Sequence, residues 1–314
     1  MTLEVRRLIQ VALGVLAGLA SWAPLELLSH LQSRFSGYLV YTAVSGAAFG
    51  LLFGAFFGGA DGIIASRGRR ILMGTISGAL IGGAGGAAGF LAGQGVLFLV
   101  GERLAATVGE INRIALPIGR AVGWAILGAC VGASGGIRVL SARKSLIGTL
   151  GGFAGGLIGG AIVEYGSLIF VGAPAARLVG LLVLGALIGL AYAWVEKRLS
   201  FGVFRVLNGP FKSREFILNQ RRMVIGTGGG CDIPVPAPEA PGRGGMPIIR
   251  GYREVAGRHC RLLARGHGLF VQPLDGTVRL NEKTLSGGDT AAANPLKYDD
   301  VVACGEARFL YLRG

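Results

Sequence analysis

The sequence predicts a helical membrane bundle joined to an all-β domain, and three observations carry that prediction. Only 15% of the 314 residues are charged while 52% are hydrophobic, against the roughly 25% charge of an average soluble domain. The charge is also uneven: residues 1–200 hold 22 acidic or basic side chains and the remaining 114 residues hold 26. Glycine is divided the other way, with 39 of 57 in the first 200 residues, inside long apolar runs. An interior glycine costs a helix in water about 1 kcal/mol relative to alanine. In a bilayer glycine serves close helix packing.

The first apolar run, 8–28, follows Arg6-Arg7. Cleavage at Ser21-x-Ala23 would leave Pro24 directly after the cut, and the apolar stretch continues beyond it, so the run reads as an uncleaved anchor. Five more runs follow at 37–60, 71–100, 115–137, 145–171 and 177–195. Each is long enough for a hydrocarbon core of roughly 30 Å. One set of connections carries Arg6, Arg7, Arg67, Arg69, Arg70, Arg138, Arg143, Lys144, Lys197 and Arg198. The other carries Arg34, Arg103, Arg113, Arg177 and, at a span edge, Arg120. The positive-inside rule places both termini in the cytosol of a bacterial-type cell, with the bundle in the cytoplasmic (inner) membrane. Six spans require the same thing of the termini.

A shift of 74 residues superposes Gly54 and Gly58 on Gly128 and Gly132, and Gly78 and Gly82 on Gly152 and Gly156. This predicts an internal two-helix repeat. A weaker echo at Gly185 and Gly189 pairs the sixth span with the first as a third, permuted hairpin. Gly-x-x-x-Gly spacing puts one small residue per turn on one helix face, so the expected role of these ten glycines is helix packing. Ionisable residues sit poorly for transport: Asp61 and Glu164 both belong near the ends of their spans. Ser77 and Ser134 can bond to their own helix carbonyls. Glu26 and the segment from Glu102 to Arg120, with Arg103, Glu110 and Arg113, read as a solvated outer cap.

The net charge of +14 divides into +8 for residues 1–200 and +6 for the rest, with no dense basic run, so no nucleic acid is expected. Cys130, Cys231, Cys260 and Cys304 lack CxxC spacing and nearby histidine pairs. They read as reduced, buried thiols, and neither a metal nor a disulfide framework is expected. No phosphate-binding loop, zinc-protease motif or paired carboxylates on one helix face occur, so no enzyme and no cofactor are expected.

After residue 198 the pattern changes to short alternating strands at 215–218, 223–225, 261–263, 269–271 and 308–312, with Gly/Asp turns. Residues 1–198 are therefore read as the membrane domain, 199–213 as a linker and 214–314 as a cytosolic β-sandwich. The Pro/Gly-rich run from Pro234 to Pro247 is expected to be a loop. His267 reads as a hairpin tip, and His30 as the outer end of the first span.

A series of short motifs runs through the second domain: Ile225-Gly226, Cys231-Asp232-Ile233, Val255-Ala256-Gly257-Arg258-His259, Asp275-Gly276-Thr277, Leu280-Asn281, Gly288-Asp289 and Val301-Val302-Ala303-Cys304-Gly305. In this order the series resembles the forkhead-associated (FHA) domain family over about residues 214–313. The resemblance implies an eleven-stranded β-sandwich whose loops at one end bind phosphothreonine peptides. It makes Thr227, Gly228, Arg253, Arg258, Asp275 and Asn281 the peptide-binding candidates and His259 a structural residue of its loop. Three positions depart from the family. Thr227 stands where it has its phosphate-binding arginine, Ala256 where it has its serine, and Asp275 where it has its asparagine. The changes remove a cation and a hydroxyl and add a carboxylate, so the charge-assisted bonds that hold a phosphate are lost, each about 1.5 to 3 kcal/mol. The usual site is expected to be degenerate, with Arg253, Arg258 and the amides of Gly228-Gly229-Gly230 as compensations.

The predicted function is a membrane-anchored scaffold or adaptor. It would present the FHA-like domain to a cytosolic or membrane protein partner, among them a phosphoprotein, with the bilayer and a homo-oligomer as further associations. The alternative is a channel or transporter for a small solute or ion, with the sandwich as regulator.

Overall fold

The computed structural model describes residues 3–64, 68–104, 111–169, 174–236, 251–266, 268–286 and 292–313. Arg67, Glu110, His267, Gly288, Asp289 and most of the Pro/Gly-rich run fall outside them, as does the side chain of Arg103. The chain divides into two compact units that meet in sequence at residues 196–197.

Among the described residues the first unit holds six long helices: α1 (Leu3–Leu31), α2 (Tyr38–Ile64), α3 (Gly68–Leu104), α4 (Leu116–Arg138), α5 (Ala142–Ile169) and α6 (Pro174–Leu199). All six are long and apolar enough to cross a membrane. The helices outrun the apolar windows at most ends, because main-chain bonding continues where side chains turn polar. A π-helical turn, Ile111–Ala115, leads into α4.

Glycine decides which helix faces touch. A Cβ on Gly54 would strike the carbonyl of Gly78, one on Gly58 that of Gly74, and one on Gly50 that of Gly82, so α2 and α3 lie backbone against backbone. Gly128 meets Gly152 and Gly132 meets Gly148 between α4 and α5, and Gly156 sits against the backbone of Trp124. Gly185 meets Gly14 and Gly189 meets Gln10 between α6 and α1. The Gly54–Gly78 and Gly58–Gly74 contacts thus become Gly128–Gly152 and Gly132–Gly148 on adding 74 to each number. In all three pairs the residue before a seam glycine, Phe53, Leu127 or Leu184, is fully buried. These three join Ala17, Phe49, Trp124, Val131 and Ile188 in one apolar cluster at the centre. Ser77 and Ser134 hydrogen-bond to the carbonyls of Met73 and Val131, at 2.7 Å each.

Among the described residues the second unit contains eleven strands. One sheet has the order β2 (Glu215–Ile217), β1 (Val203–Val206), β11 (Ala307–Leu312), β10 (Val301–Cys304), β7 (Val278–Leu280), β8 (Lys283–Leu285). The other has β4 (Ile233–Pro234), β3 (Arg222–Gly226), β5 (Cys260–Arg265), β6 (Gly268–Pro273), β9 (Asn294–Leu296). Every pairing is antiparallel except β3 with β4, which is parallel. Alternation along the strands places Phe204, Ile225, Leu262, Val271, Val302 and Phe309 in the core. The 199–213 linker is corrected here. Strand β1 lies within it, with Val203, Phe204 and Val206 buried and Val203 paired to Leu312. Its apolar alternation is only four residues long, too short to stand out without its partner strand.

Cys231, Cys260 and Cys304 are buried and unbridged, whereas Cys130 is half-exposed, which corrects the expectation for that residue.

Candidate functional site

The end of the sandwich where β3 and β6 finish and β5 and β7 begin gathers most of the residues expected to bind a peptide. The Thr227 amide donates to the Ala256 carbonyl at 3.1 Å and the Gly228 amide to that of Gly257 at 2.9 Å. The Cys231 thiol donates to the same Gly257 carbonyl at 3.0 Å. One residue further on, the Arg258 carbonyl accepts from the Asp275 amide at 3.2 Å. Of the three amides expected to face an anion, that of Gly228 is therefore spent on the neighbouring loop. The Arg258 and Asp275 side chains are both exposed, and Gly229 and Gly230 have open space where a Cβ would be.

His259 joins these loops from beneath, with 1% of its surface exposed. Its Nδ1 accepts from the Ala256 amide at 3.1 Å, so its Nε2 donates to the Thr277 carbonyl at 2.9 Å. A Cβ on Gly276 would strike the ring. Burial lowers the pKa of this histidine, outweighing the opposing bond to Thr277 and the charge of Asp275. The neutral ring is a strut between two loops.

Arg253 is placed at the flank by its main chain. Its amide donates to the Glu306 carboxylate at 2.9 Å and its carbonyl accepts from the Glu306 amide at 3.3 Å. Asn281 is not part of the group. It follows β7, at the opposite end of that strand from Asp275, with φ at 52°. There its side chain accepts from the Val301 amide at 2.8 Å and donates to Asp300 at 2.9 Å. Its role is to close the turn after β7.

A second feature lies on the outward face of the β3–β5–β6 sheet. Since Cys260 and Leu262 point into the core, Arg261, Leu263 and Arg265 share the other face of β5. Register sets Arg261 between Val224 and Gln272, and Leu263 between Arg222 and Phe270. Arg221, Arg222, Arg261 and Arg265 then line one cleft of about 310 Å³ with Leu263, Ala264 and Gln272. Among the described residues no carboxylate lines it, and none of the four guanidinium groups is in an ion pair. Sequence reading missed this cleft. The alternation Cys260-Arg261-Leu262-Leu263-Ala264-Arg265 was the available signal, but it does not show Arg222 across the sheet.

In the helical unit, Asp61 is a hub that sequence reading located near a helix end without its partners. It pairs with Lys144 and lies 3.7 Å from Arg6 and 3.6 Å from Arg138. Arg6 also binds Glu196 at 2.8 Å, and Glu196 accepts from Gln10 at 3.2 Å. This network ties α1, α2, α4, α5 and α6 at one end. At the other end Glu26 and Arg120 are not a solvated cap. Glu26 pairs with Arg177 at 3.0 Å and Arg120 with Glu164 at 3.1 Å, because the helix ends converge there. Among the described residues no group of three or more His, Cys, Asp or Glu side chains is arranged to hold a metal ion.

The architecture is that of a two-sheet β-sandwich protein with six apolar helices. No protein-family model and no curated protein matches the chain. Among solved structures it is similar to an FHA domain from a study of phosphothreonine-dependent FHA interactions, at 15% identity over 36% of this chain and 95% of that one, with a TM-score of 0.26. It is similar to the cytoplasmic domain of the T3SS sorting platform protein PscD from P. aeruginosa, at 16% identity over 35% of this chain and 78% of that one, TM-score 0.26. A third is Mycobacterium tuberculosis EmbR in complex with a low-affinity phosphopeptide, at 13% identity over 84% of this chain and 71% of that one, TM-score 0.27.

Proposed function

We propose that this chain is a membrane-anchored adaptor whose FHA-like sandwich faces the bacterial cytosol and recruits a protein partner by an acidic segment. The observation that carries the reading is the four-arginine cleft without a carboxylate. Guanidinium groups are planar forks suited to carboxylates and phosphates, and an unpaired cluster holds a positive field that an acidic chain relieves. The loop end supports the same reading from the other side, since Thr227, Ala256 and Asp275 stand where phosphate recognition would need a cation, a hydroxyl and an amide. Membrane anchoring is supported by the belt of exposed apolar side chains on the helices, among them Leu80, Phe98, Ile158 and Trp194, far larger than a water-soluble monomer tolerates. The glycine contacts at a constant offset support an internal repeat of hairpins. An apolar cluster at the centre, with the ion pairs of Asp61, Glu26 and Glu164 towards the two ends, favours an adaptor over a conduit.

The test uses the full chain in lipid nanodiscs and three labelled peptides of one length: glutamate-rich, neutral, and phosphothreonine-bearing, the last paired with an unphosphorylated peptide of equal net charge. The glutamate-rich peptide binds, more weakly as salt rises, and a double Arg222→Glu, Arg261→Glu variant weakens it at least tenfold. The phosphothreonine peptide shows no advantage over its charge-matched partner. Binding indifferent to the double variant, or a clear phosphothreonine preference, would sink the reading.

A further inference from the structure

At the end of the helical unit that holds the Glu26–Arg177 and Arg120–Glu164 pairs lies an open cavity of about 310 Å³ that no part of the adaptor reading uses. That is at the lower end of the range of small-molecule sites. One wall is aromatic. The rings of Phe49, Phe90 and Trp124 meet with centroids 4.9 to 5.9 Å apart, Trp124 edge-on to both others. The polar wall contains Ser45, which is 5% exposed and whose hydroxyl has no hydrogen-bond partner among the described residues. A buried hydroxyl without a partner carries a desolvation cost, which a bound polar group would remove.

The charges around the cavity are arranged asymmetrically. Glu164, which also lines the cavity, and Glu26 are the less exposed members of their pairs, with side chains 10% and 19% exposed, whereas those of Arg120 and Arg177 are 43% and 39% exposed. Glu164 is further occupied by the Trp124 indole N–H, which donates to it at 3.2 Å. Both carboxylates are engaged by protein groups, and Arg120 and Arg177 line the cavity as the more exposed members of their pairs.

We infer that this cavity binds one anionic amphiphile, a phosphate-headed lipid whose head meets Arg120, Arg177 and Ser45 and whose apolar part lies along Phe49, Phe90 and Trp124. Neither feature suffices alone. Aromatic walls would accept any hydrocarbon, and two arginines any small anion. Together they select a molecule with both parts, and a chain whose helices lie in lipid is surrounded by such molecules.

Trp124 supplies the readout. In the full chain in detergent, with Trp22→Phe and Trp194→Phe leaving it as the sole tryptophan, its fluorescence is followed during titration with short-chain phosphatidylglycerol, phosphatidylcholine of the same chain length, and inorganic phosphate. Phosphatidylglycerol gives a saturable change, while the other two need at least tenfold higher concentration. Ser45→Ala weakens the response about threefold. The double variant Glu26→Gln, Arg177→Gln weakens it at least tenfold. It removes both members of an ion pair and so leaves no orphaned charge, and its thermal midpoint is measured alongside. Should the double variant fail to fold, Ser45→Ala and the comparison of the three titrants decide the matter. Equal response to the two lipids, response to phosphate as strong as to lipid, or full binding in folded variants overturns the assignment. These outcomes are independent of whether the sandwich binds acidic peptides.

Discussion

The imidazole of His259 is held neutral by its partners, and this has a consequence for stability. An amide N–H points at Nδ1, so a proton there would set donor against donor. The folded pKa is accordingly below the ordinary value of 6.5, chiefly through burial. Between that folded value and 6.5 the unfolded chain binds more protons than the folded one, so stability falls as pH drops through this window and is fully present above it. In the full chain, hydrogen exchange of the amides of β5 and of the turn at Asp275–Thr277 is expected to accelerate from pH 7 to pH 5 beyond the intrinsic rate. His259→Asn flattens that excess. An unchanged excess in the variant would remove the histidine from the explanation. The same residue was legible as structural in the sequence because of its place in the Val255–Leu262 motif. The exposure of Asp275, the hydrogen bond of the Thr227 amide to Ala256 and the displacement of Asn281 to the far end were not, because each depends on which loops meet.

Between α2 and α3, and between α4 and α5, packing is decided by atoms glycine does not have. The consequence is steep and directional: adding a side chain at Gly54 or Gly128 must push two backbones apart, since the obstruction is a carbonyl and not a flexible side chain. Gly54→Val and Gly128→Val are each expected to cost about 1 to 3 kcal/mol, the usual range for an overpacked core, read as a lowered midpoint of thermal unfolding in detergent. Gly95→Ala is the control, since a Cβ there meets nothing within 4 Å. Equal midpoints for all three variants would show that the seams are not under steric control. The spacing of the glycines was visible in sequence because one face recurs every four residues. Their partners were not, apart from the offset of 74, since spacing places a face and does not choose what it touches. In the sandwich the alternation of β3, β5, β6 and β11 was readable, while β1 was lost because four residues of alternation signal little without the strand beside them.

On the reading proposed above, the two units draw on different solvents, and the largest prediction about the chain follows from that. Six apolar helices with hydrophobic side chains outward are stable where lipid covers them; the sandwich, with charged side chains outward, is stable in water. Protease added outside intact cells is expected to leave residues 203–313 untouched, and to remove them once the membrane is opened, as followed by a C-terminal tag. Loss of the tag in intact cells would reverse the orientation derived from the basic connections. A chain that stays monodisperse after detergent removal would instead deny the bilayer altogether, a failure distinguishable from indifference to phosphatidylglycerol.

Composition, periodicity and the placement of basic residues were enough to set the number of long helices, the change to β structure after residue 198 and the packing faces of the glycines, because these depend on neighbours along the chain. Tertiary structure alone decided that Asp61 gathers Lys144, Arg6 and Arg138, that Arg120 and Arg177 shield two carboxylates beside an aromatic cavity, and that four arginines from two strands and a turn share one cleft. Charges separated by dozens of residues interact over a few ångströms, and only the folded backbone specifies which of them come that near.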